Sequence, residues 1–436
     1  MTGKGAPAAI GTAAAAVAAD GVIDSTAVNG IPVICETNSF FRSVSFGIWI
    51  NAGSRDETAE KAGLFHFLEH LVFKGTLRRD ARSINVEIDE LGGHVDAFTT
   101  REYTCYSAHV LAENLEQTFD LVADIMLNSV FPDDEVERER HVILEEIKMG
   151  EDSPAENIFD QLYPTRWSGH PLGRLITGTV GTVKSITKKD LQDARERYYR
   201  PPFMLVTASG GVEIGALAQL VDKYFGGLPQ GIASRSFPEL VTKNTVNVIK
   251  RPLEQAHLIM AGPGLSMADE RRNELAILNT VLGGGASSRL FQKIREEMGL
   301  AYSIHSFFDQ FVETGIFGVY VACSPQFLEK MWTALHGELS RLLKEPPGEE
   351  EVARAKKMHL RGLKMSFESP SSRMYQMASQ KMYLNTALTH EEMISEIEDV
   401  TPEKVNGLAE GILKDGAYTV LALGPISRWK KAKLRV

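Results

Sequence analysis

The chain repeats itself, and the repeat limits what it can fold into. Residues 136–154 (VERERHVILEEIKMGEDSP) are echoed by residues 352–370 (VARAKKMHLRGLKMSFESP), with Met149, Ser153 and Pro154 matched by Met365, Ser369 and Pro370. In the same order, 185–190 (SITKKD) is echoed by 399–404 (DVTPEK), and the stretch 203–210 by 418–424. Each copy spans roughly two hundred residues, the size of one domain. Proline, glycine and serine cluster at 228–241 (LPQGIASRSFPELV), between two patterned regions. The expected division is a tail over 1–22, a first domain over 23–228, a linker over 229–243 and a second domain over 244–436.

Within each half, alternating segments such as 43–51, 103–110, 258–262 and 315–321 read as strands, and the long amphipathic stretches between them as helices. Adjacent strand pairs mixed with helices predict an α+β fold, an antiparallel-rich mixed sheet covered by helices in each half.

The run His66-Phe67-Leu68-Glu69-His70 carries the chemistry. On a helix, positions i, i+3 and i+4 share a face, so His66, Glu69 and His70 project together. Leu64, Phe65, Phe67, Leu68, Leu71, Val72 and Phe73 make this helix apolar nearly all round, hence buried. A buried carboxylate and two imidazoles need a partner to offset their desolvation, and a divalent metal is one. Two histidines hydrogen-bonded within a core are the competing reading.

A catalytic zinc takes three protein ligands and keeps one position open. Residues 133–151 read as a long acidic helix that opens at Pro132. Val136, Ile143 and Ile147 form its core stripe; Glu139 and Glu146 fall within roughly 60° of Ile143, and Glu145 points about 200° away. Glu146 is therefore the expected third ligand, and Glu139 a helper carboxylate.

The inverted order His-x-x-Glu-His, a strand motif after it, and a glutamate within a Val-Ile-x-x-Glu-type helix resemble the pitrilysin, insulin-degrading enzyme and mitochondrial processing peptidase family of zinc peptidases. The resemblance covers nearly the whole chain, in the short, two-domain form. It implies one Zn2+ per chain held by His66, His70 and Glu146, Glu69 as general base, and Glu139 as the accessory glutamate. It also implies that Arg295 and Tyr302, seven residues apart in the second half, hold the scissile peptide and its developing oxyanion; an ordinary surface arginine and a core tyrosine are the alternative. The strand Asp96-Ala97-Phe98-Thr99 matches the edge strand that pairs with substrate backbone, with Asp96 where the family has asparagine. Gly284 and Gly285 match either the family's substrate-touching glycine loop or a helix-terminating turn.

Carried back, the internal register sets Asn279, Leu282 and Gly283 opposite His66, Glu69 and His70, and Gly362 opposite Glu146. The second half is expected to keep the fold without the metal. In the family, four such domains close into a clamshell chamber, so two domains per chain imply half a clamshell and a dimer. A homodimer with each site completed in trans is the simplest arrangement, with a heterodimer of homologous chains as the other. The resulting expectation is a zinc metalloendopeptidase that hydrolyses unfolded or precursor peptides. The alternative is a non-catalytic scaffold or peptide-binding subunit of the same fold. Manganese and cobalt suit the same ligands.

A formal net charge of -10 argues against a nucleic-acid face. The apolar runs are far too short to span a membrane. Cys35, Cys105 and Cys323 read as buried free thiols of a reducing compartment, hence a cytoplasmic protein. The alanine-rich residues 1–22 read as a disordered tail, with a weak secretion signal as the alternative.

Overall fold

Two mixed sheets, one in each half, organise the chain in this computed structural model, which describes residues 23–231, 235–414 and 417–426. The expected tail, 1–22, and residues 232–234 of the expected linker lie outside the described residues.

The first sheet contains β1 (Ile23–Val28), β2 (Ile31–Thr37), β3 (Ser43–Ile50), β4 (His94–Thr99), β5 (Thr104–Leu111) and β6 (Met204–Gly210). Its spatial order is β1-β2-β6-β3-β5-β4, with β2 and β6 parallel and every other neighbour antiparallel. The helices of this half of the chain are α1 (Leu64–Val72), α2 (Ala81–Leu91), α3 (Leu115–Asn128), α4 (Asp133–Asp152), α5 (Pro154–Arg166), α6 (Val180–Ser185), α7 (Lys188–Tyr198) and α8 (Ile214–Phe225).

The second sheet contains β7 (Thr245–Lys250), β8 (Ala256–Pro263), β9 (Ser303–Gln310), β10 (Gly315–Cys323) and β11 (Thr419–Gly424). Its order, β7-β11-β8-β10-β9, reproduces the first sheet without β1, down to the one parallel pair, β7 with β11. Its helices are α9 (Arg272–Gly283), α10 (Leu328–Lys344), α11 (Glu349–Ser366), α12 (Pro370–Leu384), α13 (His390–Glu398) and α14 (Pro402–Lys414). The matched orders are the structural form of the sequence repeat, and the fold is α+β as expected.

Each sheet buries both faces, but its own half supplies helices for only one. In the first half, Phe46, Ile48, Val206 and Ala208 of the sheet pack on Phe67, Leu71, Phe119 and Val221. On the opposite face, Ile34, Trp49, Cys105 and Leu205 meet Met374, Met377 and Ala378 of α12, which belongs to the second half. The exchange is reciprocal: Ile158, Leu162 and Tyr163 of α5 cover Ile259, Tyr320, Leu421 and Leu423 of the second sheet. Both exchanged helices open at the repeated Ser-Pro, with Ser153 or Ser369 as N-cap and proline in the first turn, where its missing N–H costs nothing.

Polar groups stitch α12 in place. Arg373, fully buried, donates from Nε to Glu36 Oε2 at 2.8 Å and pairs with the same carboxylate through Nη2. The Trp49 indole donates to Thr207 Oγ1, and that hydroxyl donates to the Met374 carbonyl at 3.1 Å. A second tie crosses the halves where Arg55 bridges Glu102 and Glu313, and Tyr383 donates to Glu102 at 2.9 Å. All three cysteines are buried and unpaired, and burial pushes the Cys35 thiol up to about 12. Among the described residues, no helix is long and apolar enough to cross a membrane.

Removing Arg373 takes the guanidinium from the buried Glu36 carboxylate and leaves it His390, 3.5 Å away. Arg373→Ala should therefore lower unfolding stability in urea by about 3–5 kcal/mol. Replacing Glu36 and Arg373 together by leucine and methionine should recover most of that loss.

Candidate active site

α1 starts on a glycine for a steric reason. Gly63 has φ +96°, and a Cβ there would meet the Thr177 carbonyl oxygen at 2.7 Å. With no side chain at the N-cap, the free amides of the first turn need another acceptor. Glu57 supplies it: its buried carboxylate accepts from Gly63 N at 2.9 Å and Phe65 N at 2.8 Å. Burial pushes the Glu57 carboxyl upward, and the two amides work against that by stabilising the anion. This pins the helix end and sets an acid at its positive pole.

Phe65, Phe67, Leu68, Leu71 and Val72 take the buried sides of α1. The remaining face carries His66, Glu69 and His70 toward α4 and the β4 edge, and Glu146 of α4 meets it. Glu146 Oε2 lies 3.7 Å from His66 Nε2 and 3.8 Å from His70 Nε2. Glu145 is exposed and paired with Lys148, as its helical angle predicts. The three potential ligand atoms all lie within 4.8 Å of one another, and among the described residues no other such group of histidine, cysteine or acidic side chains occurs. Separations of 3.7–3.8 Å are too long for hydrogen bonds. They approach the roughly 3.4 Å between ligand atoms of a tetrahedral zinc with bonds of about 2.1 Å. The His66 Nδ1 atom is buried without a partner. Two imidazole nitrogens and one carboxylate are thus a donor set that fits zinc.

Electrostatics differ across this group. Burial, and then the neighbouring His70, holds His66 down to about 4, so its ring is neutral, as a metal ligand must be. His70 moves the other way: burial works to lower it, but the Glu139 hydrogen bond and the charges of Glu69, Glu146 and Glu139 prevail and raise it. Burial lifts Glu69 to about 7 against the Thr99 hydroxyl and His70, with Asp96 and Glu146 adding to the rise. A carboxyl poised near neutrality suits proton transfer.

These residues form one wall of a cleft of about 460 Å³ whose floor is Ala97, Phe98 and Thr99 of β4. β4 is an edge of its sheet, so its outward main-chain groups face no neighbouring strand and can pair with an extended chain once the Ala97 amide gives up its bond to Asp96. Asp96 is exposed on this strand, its Oδ1 accepting from the Ala97 amide. The far wall comes from Arg101 and from Asp160 and Tyr163 of the exchanged helix α5. The guanidinium of Arg101 lies 3.5 Å over the Tyr163 ring, and the Tyr163 hydroxyl donates to Asp309 of the second half. None of Glu57, Arg101 or Asp160 stands out in the sequence, because each meets the site through a loop or an exchanged element rather than through a periodic pattern.

Other expected site residues lie elsewhere. Glu139 is buried behind the group, its Oε2 3.1 Å from His70 Nδ1, and does not line the cleft. Arg295 sits on a π-helical turn, Phe291–Glu297, with its guanidinium 4.7 Å from the Tyr302 ring centre, while Tyr302 is 77% exposed. Neither lines the cleft of its own chain. Gly284 caps α9 and Gly285 adjoins Met358, so the glycine run terminates a helix, and it does not line the cleft. Gly283, the counterpart of His70, is required by packing: a Cβ there would meet Ser306 N at 2.2 Å.

Comparison with known proteins agrees across both halves. The sequence model described as Insulinase (Peptidase family M16) matches residues 32–180, and that described as Peptidase M16 inactive domain matches 185–358. An uncharacterized zinc protease of Streptomyces coelicolor is 36% identical over 418 residues, spanning 94% of this chain and 91% of the relative. The uncharacterized zinc protease YmxG of Bacillus subtilis is 36% identical over 405 residues, spanning 92% and 97%. A probable mitochondrial-processing peptidase subunit beta of Arabidopsis thaliana is 32% identical over 415 residues, spanning 92% and 78%. Among solved structures, a protease from Helicobacter pylori superposes with a TM-score of 0.85 at 22% identity, covering 92% of this chain and 99% of that one.

The depressed His66 makes a pH prediction for metal-free protein. Its folded value of about 4 lies below the ordinary 6.5, so the unfolded chain binds a proton that the folded one refuses as pH falls between those values. Stability present at pH 7 should therefore decline across that window by roughly 3 kcal/mol. His70 contributes in the opposite sense, so the comparison to make is urea unfolding of the parent against His66→Gln, which should flatten this acid slope.

Proposed function

Because the chain belongs to the M16 (insulinase) peptidase family, we propose that it is a zinc metalloendopeptidase acting on extended peptides. The observation that carries this reading is the convergence of His66 Nε2, His70 Nε2 and Glu146 Oε2, with Glu69 in the same cleft. These three side chains would hold the metal. When bound, zinc supplies a Lewis acid and brings the pKa of a bound water toward 7.

The protein's own groups do the rest. Glu69 takes the proton of the attacking water on its carboxylate and delivers it to the leaving amide nitrogen. Glu139 positions His70 by accepting from its Nδ1. The β4 edge binds the substrate main chain by strand addition, which selects extended over folded chains. Glu69, Glu146 and Asp160 outnumber the one cation of the lining, Arg101, and Asp96 adds its charge close to Glu69; this acidic balance favours substrates with basic side chains.

Arg295 and Tyr302 are not among the residues that line the cleft of their own chain. A second copy would bring them to it, closing a chamber around the peptide, with each site completed in trans. The name of the Arabidopsis relative, a subunit beta, favours a heterodimer of homologous chains as the second arrangement.

Glu69→Gln should bind zinc like the parent and lose essentially all cleavage of a quenched fluorescent peptide. Mixing it with an Arg295→Ala/Tyr302→Ala variant, itself inactive, should restore about a quarter to half of parental activity, abolished by chelator. If both variants stay inactive after confirmed subunit exchange, completion in trans is wrong. An inert parent would instead support a scaffold role.

A further inference from the structure

Behind the proposed metal site, one buried carboxylate is shared between a candidate ligand and a cation. Lys74 follows α1 by two residues, and its Nζ lies 2.9 Å from Glu139 Oε1. The other oxygen of Glu139 is the one that meets His70 Nδ1 at 3.1 Å. The Glu139 side chain is 5% exposed, whereas the Lys74 side chain, at 30%, reaches it from the surface. With one oxygen held by each donor, the carboxylate cannot rotate away from the imidazole without breaking a charge-assisted contact. Remove the lysine and the buried carboxylate keeps the ring as its remaining partner, free to turn toward solvent.

The second half provides a control within the same molecule. The repeat register sets Ser287 opposite Lys74 and Ala355 opposite Glu139. There α9 packs on α11 as α1 packs on α4, and Ala355 is buried at 3% exposure. No carboxylate stands at the place of Glu139 there; the segment after α9 is tied to α11 instead by Arg289 and Glu351, 2.6 Å apart and one turn nearer the start of α11. Where the histidines and Glu146 are replaced, both members of the pair are replaced too, while the packing residue Val136 has its counterpart in Val352.

We infer that Lys74 is a positioning residue: through Glu139 it fixes the His70 imidazole so that Nε2 faces His66 and Glu146. This rests on the metal-site reading given above. Outer partners of a metal-bound histidine orient its ring, and their loss costs about 10–100-fold in affinity.

The test measures zinc alone, by competition with a chromophoric chelator, on Lys74→Met, Lys74→Arg, Glu139→Gln and the Lys74→Met/Glu139→Gln double variant. Lys74→Met should weaken zinc binding by about tenfold, and Lys74→Arg should restore it. On the Glu139→Gln background, Lys74→Met should have no further effect, because the two act through one route. Parental affinity in Lys74→Met overturns the inference, and so does an equal loss on both backgrounds. His66→Ala separates the two readings: if the parent binds zinc no better than that variant, the metal site itself is refuted.

Discussion

Each half of this protein makes a sheet with two apolar faces and enough helices of its own for one. The uncovered face must be buried, and each half does it with a helix from the other. α12 and α5 are therefore interior parts of domains to which they do not belong in sequence. A buried methionine side chain contributes roughly 1.5–3 kcal/mol, and Met374 and Met377 are both at 1% exposure or less. Neither half can bury its sheet alone, so the two are a single cooperative structure joined by far more than a linker.

The exchange also builds the cleft. α5 delivers Asp160 and Tyr163 to the wall facing the histidines, and it is held there because its other side is the cover of the second sheet. The Tyr163 hydroxyl is anchored on Asp309, across the seam. Arg55, Glu102, Glu313 and Tyr383 meet at the same seam, just beyond the end of β4. A site that lies mainly on the first half in sequence thus takes its shape from both.

Within the site, helix ends and buried charges are arranged for separate purposes. Glu57 satisfies the amides that Gly63 leaves free, Glu139 fixes the rear of His70, and Glu146 stands at the open front where its side chain is 47% exposed. Burial keeps His66 neutral and raises Glu69 toward neutrality.

Much of this was legible in the sequence. The repeat gave two like halves, and the sheets share one strand order. Helical spacing set His66, Glu69 and His70 on one face, and the angular argument on 133–151 separated Glu146 from Glu145. Such inferences hold because a helix or strand imposes its period locally, whatever surrounds it. Tertiary structure alone decided the exchange of α5 and α12, the contacts made by Glu57, Lys74 and Asp160, and that Arg295 and Tyr302 do not line the cleft of their own chain. Those depend on which faces meet across long stretches of chain, and burial of an apolar face specifies that it is covered without specifying by what.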